Sequence, residues 1–188
     1  MMKGIQEYLS KKQASAALCA TDIKDRGYKD NSINYLEYNK DFLADDYEDD
    51  FPIDIDYIIM NPPYSLIEPF VMKSLSIANK GILMLARLQF LEGKGRYENI
   101  LKDNPPTDIY VYVDRIKCYK NGDESDNSSS AQAYAWFYWN LEYPAKKISK
   151  AQAVNLTDEK LEINGYAYDS EQYEIGKFPI IHWIRRAE

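Results

Sequence analysis

Short apolar runs alternate with helical patterns along the first half of the chain. Residues 17–20, 57–60 and 81–85 form uninterrupted apolar runs, which are typical of strands buried on both faces of a parallel sheet. Apolar residues at helical spacing occur within 4–16 and again between the second and third runs. Strand, helix and strand in this order predict a parallel crossover unit, and therefore an α/β fold.

The helix after the second strand is predicted to begin at a capping box. Ser65 and Glu68 have the spacing of that motif, in which each side chain bonds to the backbone N–H near the other residue. The predicted apolar face of this helix consists of Phe70, Val71, Leu75 and Ala78.

The second half of the chain predicts further strands and one hairpin. Residues 109–113, 131–139 and 178–184 have strand-like patterns, whereas 121–130 is a low-complexity polar loop. Asn164-Gly165 between alternating residues is typical of a tight hairpin turn. We therefore expect one domain over 1–188, with a hairpin-containing insertion at about 141–177.

Composition excludes several classes of protein. With 188 residues and a net charge of −7, the chain is not a generally basic nucleic-acid coat. One histidine and two cysteines argue against a histidine-rich zinc site, a Ser-His-Asp triad or a disulfide framework. No apolar run approaches a membrane span and the start lacks a signal-peptide pattern, so we expect a cytoplasmic protein with no membrane partner. Aromatic residues make up 14%; most are expected in core and surface, and a few remain candidates for stacking on bases.

The motif most indicative of chemistry is Asn61-Pro62-Pro63-Tyr64, directly after the second strand. Open α/β sheets bind ligands at the carboxyl ends of their strands. The Asn61 side-chain oxygen and the Pro62 carbonyl can both accept hydrogen bonds from an exocyclic amine, and so stabilise the charge that develops when the amine attacks. Pro62 and Pro63 fix the backbone, and Tyr64 offers a ring on which a flipped base can stack. The alternative is a strand-to-helix turn that happens to contain two prolines.

The chain resembles the adenine-N6 DNA methyltransferases that use S-adenosylmethionine. The catalytic motif within 56–64 carries the resemblance, together with motifs specific to short phage and prophage members at 21–28, 90–97, 105–107 and 133–137. The similarity runs from about residue 17 to 139, and a weaker similarity is present at 181–184. It implies a Rossmann-like methyltransferase fold with a mostly parallel sheet and antiparallel closing strands. The four-residue motif alone also occurs in methyltransferases acting on RNA bases and on protein glutamine.

The resemblance also implies binding residues. Asp22, with Ile23 beside it, matches the acid that binds the donor's ribose, and Asp41-Phe42 the pair that binds the donor's adenine. The alternative for Asp22 is a role in a turn or as a helix cap. The alternative for Asp41-Phe42 is that the pair does not bind adenine. Arg87, Lys94 and Arg96 are expected to contact DNA phosphates. The alternative is that these cations lie in a solvated loop.

One departure from the family concerns its glycine-rich donor loop. That loop is expected near residue 2, about 20 residues before the ribose acid, where only Gly4 is present and no strand precedes it. We therefore expect a fold truncated at its N-terminus, through a late start codon or as a natural remnant. With the central strand missing, residues 17–21 are predicted to pair directly with 56–60; the alternative is that a second chain fills the gap.

The function expected from these features is methylation of the adenine N6 amine in DNA. The alternatives are a catalytically silent remnant that binds nucleic acid or a protein, and a methyltransferase for RNA or protein glutamine.

Overall fold

The computed structural model describes residues 2–13, 16–25, 27, 35–44, 54–114, 132–142, 162–163, 166–167 and 179–185. The chain divides into two compact units, Met1–Ile53 and Asp54–Glu188. The polar stretch 121–130, Cys118 and most of the predicted insertion at 141–177 lie outside the described residues.

The first unit contains one helix and a small parallel sheet. Helix α1 spans Met2–Lys11, strand β1 spans Cys19–Asp22 and strand β2 spans Tyr35–Tyr38. Strands β1 and β2 pair in parallel, so that Asp22 lies opposite Tyr38. The helix is shorter than the predicted 4–16, because Gln13 adopts a left-handed conformation with φ of 52°, which ends helical hydrogen bonding.

The second unit is built on a five-stranded sheet in the order β3-β4-β6-β5-β9. These strands are β3 (Ile55–Met60), β4 (Ala78–Arg87), β5 (Asp108–Tyr112), β6 (Tyr134–Asn140) and β9 (Ile180–Ile184). Helix α2 (Ile67–Ile77) connects β3 to β4, and the short helix α3 (Lys94–Arg96) continues into a π turn at Tyr97–Leu101 before β5. Strands β7 (Glu162–Ile163) and β8 (Tyr166–Ala167) pair in antiparallel on either side of Asn164-Gly165, in agreement with the predicted hairpin.

Four of the five strands run in the same direction. Strand β3 is parallel to β4, and β5 is parallel to β9, whereas β6 is antiparallel to both of its neighbours. The predicted α/β class with a mostly parallel sheet is therefore confirmed. The expectation that the closing strands are antiparallel holds for β6 and is wrong for β9.

One face of the sheet packs against α2 and the segments that follow β4. The largest fully buried side chains include Phe90, Phe137 and Ile67. The ring of Phe90 meets Phe137 edge-on, with centroids 4.9 Å apart, and meets Trp139 at 6.1 Å. Alternation along β6 places Phe137 and Trp139 in this core, as a strand period of two residues requires.

The predicted pairing of residues 17–21 with 56–60 is wrong. Strand β1 pairs with β2 in a sheet of its own, and β3 is an edge strand that pairs only with β4 among the described residues. The prediction assumed that an unpaired edge of β3 would be deeply buried. Asp56 and Tyr57 are instead exposed, and Ile58 and Ile59 are half-buried, so β3 is not the deeply buried central strand that the prediction required.

The predicted capping box at Ser65 is also wrong. Tyr64–Leu66 forms a 3-10 turn, and α2 begins at Ile67 without a side-chain cap. Glu68 accepts a hydrogen bond from Asn99 Nδ2 at 2.9 Å instead. The turn is held by a backbone bond in which Leu66 N–H donates to the Pro63 carbonyl.

No helix within the described ranges combines the length and apolar character needed to cross a lipid bilayer.

Candidate active site

The Asn61-Pro62-Pro63-Tyr64 motif leaves the sheet at the carboxyl end of β3. Met60, the last residue of β3, lies opposite Met84 of β4, so the motif stands beside the carboxyl end of a second parallel strand. Asn61 and Pro63 are exposed and Pro62 is buried. Because proline has no N–H to donate, the two prolines end the ladder here and start the turn toward α2.

The side chain of Tyr64 is held by Arg87. The backbone N–H of Arg87, the last residue of β4, donates to the Tyr64 hydroxyl at 2.8 Å. Tyr134, the first residue of β6, lies near enough to the Tyr64 hydroxyl to raise the pKa of Tyr64. The guanidinium carbon of Arg87 lies 4.1 Å from the centroid of the Tyr64 ring, a cation–π contact. The ring is thus fixed, while Tyr64 remains 43% exposed.

These contacts affect the acidity of the phenol. Partial burial is the largest cause that raises the pKa of Tyr64 to about 12, and Tyr134 adds to it, while Arg87 opposes it. A phenol with this pKa is neutral at pH 7. Tyr64 therefore offers the site an uncharged ring rather than a base.

Arg96 is bound to the segment between β4 and α3. Its Nη1 donates to the carbonyl oxygens of Gln89, Phe90 and Glu92, at 3.0, 3.2 and 2.9 Å, and its Nε lies 4.0 Å from Glu68 Oε1. The structure therefore gives Arg96 an internal role in shaping the 3-10 turn at Leu88–Leu91. Its expected contact with phosphate stays a prediction.

Lys94 begins α3 and is exposed. The residue before it, Gly93, has φ of 107°, a conformation that favours glycine. The glycine allows the chain to turn from the 3-10 segment into α3, which leaves Lys94 on the same stretch of chain as Arg87 and Arg96. Its contact with phosphate likewise stays a prediction.

In the first unit, a backbone hydrogen bond brings the segments of Asp22 and Asp41, the acids expected to bind the donor, next to each other. Asp22 ends β1, and its carbonyl accepts a hydrogen bond from Lys40 N–H at 3.2 Å, which places Asp41 next to the end of β1. The Oδ1 atom of Asp22 accepts from Lys24 N–H, and the Oδ1 atom of Asp41 accepts from Leu43 N–H, both at 2.9 Å. Two carboxylates thus lie at the carboxyl ends of neighbouring parallel strands.

The other residues expected near the donor differ in exposure. Ile23 is 59% exposed, and Phe42 is half-buried beside Asp41. Gly4 lies inside α1 rather than in a loop after a strand. Its position therefore does not provide the glycine-rich loop that the resemblance implies.

Two features of this site were not predicted from the sequence. Arg87 was expected to meet phosphate rather than a ring, and Tyr134, within the motif at 133–137, was not expected to lie beside Tyr64. The antiparallel pairing that sets Arg87 opposite Tyr134 connects segments far apart in the sequence. The one available signal was the polar hydroxyl of Tyr134 at the start of a strand.

Among the described residues, no group of three or more His, Cys, Asp or Glu side chains could hold a metal ion.

The chain was compared with protein-family models, with curated proteins and with solved structures, and none of the three comparisons found a match. The residues of the site are therefore the basis on which a function is assigned.

Proposed function

We propose that this protein transfers a methyl group from S-adenosylmethionine to the N6 amine of adenine in DNA, and that its sheet is that of a Rossmann-like methyltransferase. The observation that carries the proposal is the position of Asn61-Pro62-Pro63-Tyr64 at the carboxyl end of β3, with the Tyr64 ring fixed by Arg87. Ligands of open α/β sheets bind at this end.

The motif supplies what attack by an aromatic amine requires. The lone pair of an exocyclic amine is delocalised into its ring, so the nitrogen must become tetrahedral before it is a good nucleophile. The exposed Asn61 side chain accepts one N–H bond and the Pro62 carbonyl accepts the other. Both acceptors stabilise the positive charge that develops on nitrogen. A new N–C bond forms as the S–C bond of the donor breaks, and the nitrogen then loses a proton to water.

The residues of the first unit fit a nucleoside-type methyl donor. When bound, that donor supplies an electrophilic methyl group on a sulfonium. Asp22 and Asp41 offer carboxylates to hydroxyl and amine hydrogens, and half-buried Phe42 offers a flat apolar surface. Each carboxylate holds one oxygen in a tight turn, which orients the group before a ligand arrives.

Replacement of Asn61 with alanine tests the proposal. Wild-type protein is incubated with unmethylated duplex DNA of mixed sequence and a tritium-labelled donor, and the DNA is digested to nucleosides. We expect N6-methyladenine with the wild type and a loss of at least about 100-fold in Asn61→Ala, because an acceptor that acts in the transition state contributes on this order. Asn79→Ala is the matched control, since Asn79 is an exposed asparagine at the amino end of β4.

The outcomes distinguish the alternatives. Undiminished activity in Asn61→Ala contradicts the proposed role of the motif. If the protein methylates RNA or glutamine-containing peptides but not DNA, then its substrate is RNA or protein glutamine instead of DNA. A wild-type protein that binds no donor in a calorimetric titration supports the catalytically silent alternative.

A further inference from the structure

The two contacts that hold the Tyr64 ring come from Arg87, at the paired ends of two strands. Arg87 ends β4 and Tyr134 begins β6, and the two residues are direct partners in the antiparallel ladder. Leu88 N–H also donates to the Ala133 carbonyl at 2.8 Å, which extends the pairing beyond these strands. The groups that hold Tyr64 are therefore part of the sheet rather than of a free loop.

The cation covers one side of the ring. At 4.1 Å between guanidinium carbon and ring centroid, Arg87 occupies the distance at which a second aromatic group would stack. Tyr64 is nevertheless 43% exposed, so part of the residue is open to a ligand. A planar base that stacks on the side of the ring away from the guanidinium would complete three layers, with Arg87 at the bottom and Tyr64 in the middle.

We propose that Arg87 is a positioning residue that holds the Tyr64 ring as a preformed surface for the flipped adenine, and that it is not a phosphate contact. The inference rests on the proposed function for the identity of the base. A phosphate that draws the guanidinium away from the ring uncovers the second side of the ring and releases the Tyr64 side chain, whereas a positioning role keeps the guanidinium in place. A ring fixed in advance saves the cost of ordering a side chain on binding, which corresponds to about 2- to 10-fold in affinity.

Arg87→Ala and Arg87→Lys together separate the two roles. Lysine keeps the charge but lacks the planar group that stacks on a ring. If Arg87 positions Tyr64, both variants lose about 10-fold in kcat/KM for adenine methylation, and lysine does not rescue. If Arg87 contacts a phosphate, lysine restores most of the activity, and that result overturns the inference.

The salt dependence of DNA binding gives a second readout. The affinity for the same duplex is measured from 50 to 300 mM salt. Loss of one phosphate contact lowers the slope of log K against log salt by about 0.9. We expect the slope for Arg87→Ala to equal that of the wild type, and a decrease of about 0.9 overturns the inference. Lys102→Ala, which removes an exposed cation paired with Glu98, is the matched control for a general loss of positive charge.

A third measurement needs no DNA. Equilibrium unfolding of wild type, Arg87→Ala, Tyr64→Leu and the double variant gives the coupling between the two side chains. We expect the double variant to be more stable than the sum of the single effects predicts, and additive effects overturn the inference. If the wild type neither binds nor methylates DNA, the proposed function fails, and the coupling alone decides whether Arg87 positions Tyr64.

Discussion

Three aspartates of the first unit make the same local hydrogen bond. The Oδ1 atoms of Asp22, Asp25 and Asp41 each accept from the backbone N–H two residues later, at 2.9, 2.7 and 2.9 Å. The aspartates differ in where the turn lies: Asp22 and Asp41 follow neighbouring parallel strands, whereas Asp25 lies beyond the strand end. The three aspartates therefore share the same local bonding and differ in their position relative to the strands.

This difference gives a prediction for donor binding. Asp22→Ala and Asp41→Ala each remove a charge-assisted acceptor, and we expect each to weaken S-adenosylmethionine binding by about 10- to 100-fold, since such bonds contribute about 1.5–3 kcal/mol. Asp25→Ala loses the same kind of turn and serves as the control, with affinity within about 2-fold of the wild type. Isothermal titration calorimetry on the full chain measures all three. Equal losses in the three variants indicate damage to the unit rather than loss of ligand contacts.

The sequence predicts the residues of the motif better than it predicts their surroundings. Asn61 to Tyr64 could be placed at the end of a strand because two consecutive prolines end a ladder. The contact of Arg87 with Tyr64 could not be predicted, because it depends on the register between β4 and β6. A register between strands distant in sequence is determined by packing of the whole sheet.

At the scale of elements, the segment from β4 to α3 is shaped by one arginine and one glycine. Arg96 Nη1 satisfies three carbonyl groups around the 3-10 turn, and Gly93 supplies the backbone conformation that leads into α3. An added Cβ at Gly93 meets nothing within 4 Å, so only its φ of 107° opposes a side chain. The two residues together fix the course of the chain after Arg87.

Gly93→Ala and Gly95→Ala are therefore expected to have opposite effects. Alanine at position 93 must adopt a strained backbone, which lowers the free energy of unfolding by about 1–3 kcal/mol. Gly95 lies within α3, and its Cβ also meets nothing within 4 Å, so alanine there leaves stability unchanged or raises it by up to about 1 kcal/mol. Urea unfolding followed by circular dichroism measures both. A destabilised Gly95→Ala together with an unaffected Gly93→Ala contradicts this account.

Strands were predicted more accurately than helix ends. Continuous apolar runs identified β1, β3 and β4, although only β4 is largely buried, and β1 and β3 include exposed positions. The start of α2 was misplaced, because the backbone bond from Leu66 N–H to the Pro63 carbonyl forms a 3-10 turn where Ser65 was expected to cap. The proline turn thus determines where α2 begins, and the Ser65–Glu68 spacing, which a capping box shares with many turns, does not.

At the scale of the whole molecule, the two units differ in how much they bury. All members of the described hydrophobic core lie between Met60 and Trp139, and so within the second unit. The first unit has one two-stranded sheet among its described residues, and a pair of strands alone is marginal in water. The second unit therefore contains the described core.

Separate production of the two units tests this difference. We expect residues 54–188 to unfold cooperatively in denaturant, because they retain the complete described core, and residues 1–53 to show no cooperative transition. Circular dichroism and intrinsic fluorescence measure both transitions. A cooperative transition in 1–53, or its loss in 54–188, shows that the stability of the chain is distributed differently.

The antiparallel strand β6 lies between β4 and β5, yet it follows both of them in the sequence. During synthesis on the ribosome, β4 and β5 emerge before β6. They do not pair with each other in the final sheet, because β6 lies between them. At about 5–20 residues per second, this interval is on the order of seconds. Throughout it, Phe90 lacks the rings of Phe137 and Trp139 that enclose it in the finished protein. The nascent chain therefore leaves the core side of Phe90 uncovered by these two rings until β6 has left the exit tunnel.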